Sequence, residues 1–143
     1  MFLCGEHAHQ IDEKGRIRIP VKLKEALGPN PVIMRGIDGC LFMYSQERAA
    51  EVFARRFDKA DNEFSDPDTV KAKRLMFASA LQVDEDKQGR VTLSDNLIKY
   101  AGIKKNIVSI GAMDRVEIWS EENWLKYSEI EADAYDSVLK SLK

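Results

Sequence analysis

Alternation, and its interruptions, mark out the elements of this chain. From Glu6 to Asp12 the side chains alternate, with His7, His9 and Ile11 on one side and Glu6, Ala8 and Gln10 on the other, which is the two-residue period of a strand. Beyond a turn at Glu13-Lys14-Gly15, Arg16 and Arg18 share one face and Ile17 and Ile19 the opposite one, so 6–20 is predicted to form a hairpin. Pro20 opens a short helix, where its fixed φ and missing N–H cost least. Leu23, Ala26 and Leu27 give that helix an apolar side before Gly28-Pro29-Asn30-Pro31 stops it. Val32 to Met34 and Leu41 to Tyr44 flank Gly36-Ile37-Asp38-Gly39 and predict a second hairpin. Ser45 reads as the N-cap of a helix carrying Ala49, Phe53 and Phe57 at helical spacing to about residue 58. The acidic stretch 58–68, which contains Pro67, reads as a connection. Thr69 to Phe77 then resumes helix, with Val70, Lys73, Met76 and Phe77 on one face.

The order then repeats. Ala80 to Asp84 alternates with Leu81 and Val83 inward, a second turn leads to Val91 and Leu93, and Ser94 caps a short helix through Tyr100. Asp12-Glu13-Lys14-Gly15-Arg16 returns as Asp86-Lys87-Gln88-Gly89-Arg90, an offset of 74 that Gly28 and Gly102 share. One residue is gained after that. At an offset of 75, Val32 falls on Ile107, Ile33 on Val108, Gly36 on Gly111, Tyr44 on Trp119 and Ser45 on Ser120. Turn glycines, apolar parity and helix caps thus stay in phase, which identifies a duplication. A unit of about 45 residues is too small to hold a core alone, so the two are predicted to pack as an intrachain pseudo-symmetric pair. The predicted class is α+β, a mainly β core with short helices. Residues 1–57 form a first repeat with a trailing helix, 58–76 a linker and helix, and 77–143 a second repeat with a C-terminal helix. That last helix, Glu121 to Leu142, puts Trp124, Tyr127, Ala134, Val138 and Leu142 near one stripe, which either covers the sheet or packs between subunits.

Composition narrows the setting. The 143 residues, 44% hydrophobic and 32% charged, suit one compact unit or two intertwined ones. No apolar run approaches the roughly 20 residues that span a bilayer, and a soluble, cytoplasmic protein is expected. Cys4 and Cys40 form no C-x-x-C pair and are expected as reduced thiols. A formal charge of −2 argues against a generally basic protein. Its distribution is uneven, however: nine cations against seven acids between Met1 and Arg56 make that part +2 and leave −4 for the rest. An exposed basic edge on an acidic body is the pattern this predicts.

The candidate chemistry lies in the two turns. Gly15 and Gly89 supply the positive φ of a tight reversal, and Asp12 and Asp86 are suited to fix the turn by accepting backbone N–H bonds or to orient the neighbouring arginine. Arg16 and Arg90 can present a planar fork to guanine O6 and N7, whereas Lys14, Arg18 and Lys87 suit phosphate oxygens. The alternative is that each arginine merely salt-bridges its own aspartate. His7-x-His9 with Cys4 is a weak metal pattern, because both histidines align with inward positions of the second copy; no metal and no cofactor are expected. Nucleotide-binding, zincin and nucleophile-elbow motifs are missing, and an enzyme is not expected.

The D-x-K-G-R-x-x-x-P turn close to Met1-Phe2-Leu3, its D-x-x-G-R copy, and Leu75-Met76-Phe77-Ala78-Ser79 between them resemble the MraZ family of bacterial transcriptional regulators over nearly the whole chain. Cys4 before Gly5-Glu6, Gln88 and Ser94 depart from its pattern. The resemblance implies AbrB-like swapped-hairpin halves, a closed ring of subunits and binding of double-stranded DNA at short tandem repeats. It also implies repression at the promoter of the division and cell-wall gene cluster and association with the nucleoid. A small-molecule substrate is not implied. A protein-interaction module on the same scaffold, without DNA binding, is the competing expectation.

Overall fold

A computed structural model describes residues 1–57 and 66–143. In chain order the elements are β1 (Glu6–Gln10), β2 (Arg16–Arg18), α1 (Val21–Leu27), β3 (Val32–Arg35), β4 (Leu41–Tyr44), α2 (Gln46–Phe57) and α3 (Pro67–Ala78). There follow β5 (Leu81–Gln82), β6 (Arg90–Thr92), α4 (Asp95–Tyr100), β7 (Asn106–Gly111), β8 (Val116–Ser120), α5 (Glu121–Ser128) and α6 (Ala132–Lys140). The α+β class and the repeated element order agree with the sequence reading, as do the β3–β4 and β7–β8 hairpins. Most of the acidic connection falls outside the described residues. Its last part does not remain a connection: Asp66 caps α3 by accepting the N–H groups of Asp68 and Thr69, and Pro67 takes the first helical position, where no N–H is needed.

The predicted β1–β2 hairpin does not form. β1 pairs antiparallel with β7, and β2 pairs with β6, so each half sends its opening strands into the other. The local alternation was right; the partner was not, because parity says which face a residue takes and nothing about which strand lies beside it. A six-stranded sheet results, ordered β1-β7-β8-β4-β3-β5, with β2 and β6 forming a separate two-stranded ribbon.

The register exposes the duplication as a two-fold axis. In the ribbon Ile17 lies opposite Val91, its own counterpart at the offset of 74, flanked by Arg16 opposite Thr92 and Arg18 opposite Arg90. At the sheet's centre Phe42 lies opposite Glu117, its counterpart at 75, flanked by Leu41 opposite Ile118 and Met43 opposite Val116. Both pairs sit on the axis. The symmetry weakens at the sheet's edges, where β1 is paired over five residues and β5 over two.

The sheet is buried on both faces. One face packs with Ile17, Ile19, Val91 and Leu93 of the ribbon region and with Leu23, Leu27 and Leu97 of α1 and α4, sharing a core with Ile33, Leu41, Met43, Ile107 and Ile118. The other face carries Met34, Phe42, Tyr44 and Trp119 against Phe53 of α2, Met76 of α3 and Trp124 of α5. Ser45 and Ser120, matched in the repeat, both cap helices: Arg48 N–H donates to Ser45 Oγ at 3.1 Å and Asn123 N–H to Ser120 Oγ at 3.1 Å. Where the axis replaces an aromatic by a carboxylate, the buried Glu117 is satisfied. It accepts from Arg115 Nη2 at 2.7 Å and from Trp119 Nε1 at 3.2 Å, and Arg115 also donates to the Tyr44 hydroxyl and covers the Phe42 ring at 4.0 Å.

The single C-terminal helix predicted for 121–142 is two helices. Glu129 falls at the C-terminal, negative pole of α5, whereas Glu131 and Asp133 stand at the positive pole of a helix that restarts at Ala132. The stripe divides accordingly. Trp124 and Tyr127 pack on Trp119, with ring centroids 5.4 and 4.9 Å away, so α5 covers the sheet. Nothing of α6 is buried: Tyr135, Val138 and Leu139 remain open to solvent, as does Leu142 just beyond its end.

Candidate nucleic-acid interface

The two turns are nearly superimposable in their hydrogen bonds. Asp12 Oδ1 accepts the N–H groups of Lys14 and Arg16, both at 2.9 Å, and the Gly15 N–H donates to the Asp12 carbonyl at 3.0 Å. Asp86 Oδ1 accepts from Gln88 and Arg90, both at 2.9 Å, and the Gly89 N–H donates to the Asp86 carbonyl at 3.0 Å. Gly15 and Gly89 take φ of 77° and 76°, so the turn glycines hold the conformation that the sequence assigned to them. These backbone donors are the main reason both aspartates titrate below the ordinary carboxylate range; the arginine side chains add to it. A depressed carboxyl contributes stability above its unfolded-state pKa and loses it as pH falls through the folded value, so the turns loosen only in acid.

The arginines are oriented by the same carboxylates. Arg16 Nε donates to Asp12 Oδ2 at 2.7 Å and Arg90 Nε to Asp86 Oδ2 at 2.8 Å. The intramolecular pairing weighed above is therefore present. It engages the Nε side and leaves the two terminal nitrogens of each guanidinium without a protein partner among the described residues, and the arginine side chains keep 25% and 24% of their surface exposed. Pairing thus aims the fork without consuming it.

The ribbon brings together what the sequence had separated. Ile17 and Val91, each 1% exposed, point into the core, so the residues on either side of them point out. Arg16, Arg18, Arg90 and Thr92 consequently share one solvent face, with roughly 7 Å along each strand and about 5 Å across. Lys14 and Lys87 are exposed on the turns at its two ends. Among the described residues, the side chains of Lys14, Arg18 and Lys87 make no hydrogen bond or ion pair. The sequence reading placed Lys14, Arg16, Arg18, Lys87 and Arg90 correctly on turns and outward strand positions. It missed Thr92 and the direct opposition of Arg18 and Arg90; repeat parity names Thr92 as the counterpart of Arg18, but no local signal names the strand that β2 pairs with.

His9 is half-buried where β1 pairs with β7. His9 Nε2 lies 2.7 Å from Ser109 Oγ, and burial holds its pKa below the ordinary value. Cys4 is exposed, and burial pushes the Cys40 thiol up to about 12. Among the described residues no group of three His, Cys, Asp or Glu is placed to hold a metal, and no helix is long and apolar enough to cross a membrane.

The turn glycines differ in their surroundings, which sets up a comparison. Alanine at either would take a left-handed conformation costing about 1–2 kcal/mol. At Gly15 a Cβ would also lie 3.2 Å from Ile98 Cδ1, whereas nothing stands within 4 Å at Gly89. Thermal unfolding should show Gly15→Ala as the more destabilised variant; equal midpoints would mean that the first turn is no more tightly packed than the second.

With the duplicated D-x-x-G-R turns found on one ribbon, the family match can be placed on the structure. A family model described as an MraZ protein of antitoxin-like type matches residues 2–75 and again 76–137. The chain belongs to the MraZ family. Relatives include proteins named transcriptional regulator MraZ from Clostridium beijerinckii, 42% identical over 145 residues that cover 99% of this chain and 96% of the relative. Others come from Lactobacillus delbrueckii subsp. bulgaricus, 37% identical with 99% and 96% covered, and Acetivibrio thermocellus, 38% identical with 96% and 94% covered. The two MraZ matches meet between residues 75 and 76, near the end of α3, so each takes in one complete turn-strand-helix-hairpin unit.

Proposed function

We propose that this MraZ-family chain is a transcriptional regulator that binds double-stranded DNA sequence-specifically through the β2–β6 ribbon, with no chemistry of its own. The observation that carries the reading is the ribbon face itself: Arg16, Arg18 and Arg90 project together from a two-stranded element, with their apolar neighbours locked into the core. A two-stranded ribbon fits the major groove, about 12 Å wide, and arginine forks pair with guanine O6 and N7 there while Lys14 and Lys87 reach phosphates. One such face contacts few phosphates on a body of net charge −2, so useful affinity needs several copies.

Two surfaces support self-association. The unpartnered apolar side of α6 is flanked by Asp133 and Asp136, and an apolar cleft of about 330 Å³ between α2 and α3 is lined by Ala49, Phe53, Phe57 and Phe77. These are different patches, which is the arrangement that builds rings by head-to-tail contact. A homo-oligomeric ring on short tandem repeats, repressing the division and cell-wall promoter ahead of its own gene from the nucleoid, is the full form of the proposal. The names of the relatives and the family pattern of the turns support its regulatory part. Footprinting on DNA from upstream of the gene tests it. Protection at spaced repeats, with affinity falling steeply as salt rises, is the expected result. Binding that ignores salt, or no protection at all, would turn the reading toward a protein partner.

A further inference from the structure

The two-fold axis through Ile17 and Val91 relates the backbones of the two turns but not their charges. At the offset of 74, Arg16 maps onto Arg90, yet Arg18 maps onto Thr92, Glu13 onto Lys87 and Lys14 onto Gln88. Because the strands are antiparallel, the odd residues gather at one end. Arg18 lies opposite Arg90, beside the second turn with Lys87, whereas Thr92 lies opposite Arg16, beside the first turn, where Glu13 offsets Lys14. On the ribbon and within the turns 12–16 and 86–90, the second-turn end therefore holds Arg18, Arg90 and Lys87 against Asp86; Asp84 and Glu85 stand just before that turn, Glu85 paired with Lys24 at 2.7 Å. The first-turn end holds Arg16 and Lys14 against Asp12 and Glu13, and its charges cancel.

Nothing structural calls for this. Like charges directly opposite on neighbouring strands are destabilising, and the Arg18 guanidinium has no protein partner among the described residues while Arg90 is already held by Asp86. A cationic pair of which only Arg90 has a carboxylate partner is suited to an anion from outside the chain.

We propose that the ribbon face is polar: Arg18 and Arg90 form a paired clamp at the second-turn end, so each chain engages the duplex in one orientation and reads a DNA unit lacking two-fold symmetry. This rests on the DNA-binding reading above and deepens it, since the backbone symmetry alone would specify a palindromic unit. Arg18 acts here as a determinant of specificity and polarity, beyond a role as one more phosphate contact.

The test is selection from a randomised duplex library with the full chain. The wild type is expected to enrich a unit whose two halves differ. Arg18→Thr makes the axis-flanking residues alike and should enrich a weaker unit whose central base pairs are closer to two-fold symmetric; Thr92→Arg makes them alike by the opposite route and should enrich a tighter one, the differing turn residues Glu13/Lys87 and Lys14/Gln88 being left in place in both. The preference between the two halves of the wild-type unit, about 5-fold or more for a bidentate contact, should fall toward parity in both variants. Both positions are exposed, and circular dichroism and elution volume confirm that the fold is kept. A palindromic unit from the wild type, or the same asymmetric unit from all three proteins, overturns the polarity while leaving DNA binding intact. If the wild type enriches no sequence, the DNA-binding reading fails and the polarity falls with it.

Discussion

Arg16→Ala is expected to abolish the electrophoretic shift of promoter DNA while leaving the size of the oligomer unchanged. Its fork is positioned before any DNA arrives, because Asp12 holds both the backbone N–H and the Nε of Arg16, leaving little rotamer freedom to lose on binding. One bidentate arginine–guanine contact is worth roughly 1–3 kcal/mol, about 5- to 150-fold in affinity. The loss recurs in every copy that engages a repeat, so an oligomer multiplies it. The substitution also strips Asp12 of its cation and leaves a bare carboxylate facing the phosphates. Arg16→Lys separates the contributions: it keeps the charge but not the planar fork, so it should retain salt-dependent, sequence-indifferent binding and lose discrimination between operator and random DNA. Among the described residues the Arg16 side chain makes no hydrogen bond or ion pair across the ribbon, and its pairing with Asp12 is partly open to solvent, so neither variant should lower the unfolding midpoint appreciably. A shift that persists unchanged in Arg16→Ala would show that the ribbon is not the reading surface.

The local layer of this structure was legible in the sequence. Turn glycines, the serine caps at Ser45, Ser94 and Ser120, and the outward parity of Arg16 and Arg18 depend on neighbours within about five residues, and each was found where the pattern placed it. Strand partnership is a different kind of fact. The alternation of residues 6–10 and 16–18 is equally compatible with folding back on one another or with pairing to β7 and β6, about 100 and about 74 residues away, separations that no local window samples. The repeat held a clue: neither unit of that size buries a core alone, and exchange of the opening strands is how two such units come to share one. The candidate site shows the same division. Its residues were recognisable one by one from turn chemistry, whereas the clamp of Arg18 with Arg90 exists only because β2 crosses to β6. The split between α5 and α6 was missed for a third reason: the apolar stripe runs on in phase through Glu129-Ile130-Glu131, and the break comes from where the acidic residues stand relative to the helix poles.

Cutting the chain at the boundary between its repeats should yield two pieces of unequal behaviour, neither of them a folded monomer. Among the described residues of 1–75 the only native strand pairing left is β3 with β4; β1 has lost β7, β2 has lost β6, β3 has lost β5 and β4 has lost β8. Within 76–143 only β7 with β8 survives. A lone two-stranded hairpin is marginal in water, and the apolar residues that filled the shared core would be exposed. A second copy can replace the missing half, however, since the axis relates like elements. A dimer of 1–75 would place Ile17 against Ile17 and Phe42 against Phe42, both apolar and therefore compatible with a core. A dimer of 76–143 would place Val91 against Val91 but Glu117 against Glu117, two carboxylates at a position that is 9% exposed in the intact chain, with the Tyr44 hydroxyl and the Phe42 ring no longer there to hold Arg115. Light scattering and circular dichroism should therefore find 1–75 as a dimer with strand and helix signals, 76–143 largely unfolded, and a mixture of the two as a one-to-one complex that recovers the native spectrum. The contrast rests on Phe42 opposing Glu117 at the centre of the sheet, and Glu117→Phe in the second piece should rescue its dimerisation. A compact monomer from 1–75 would mean that its opening strands can fold back on their own half, and the exchange of β1 and β2 between repeats would then be a choice of the full chain and not a requirement of either part.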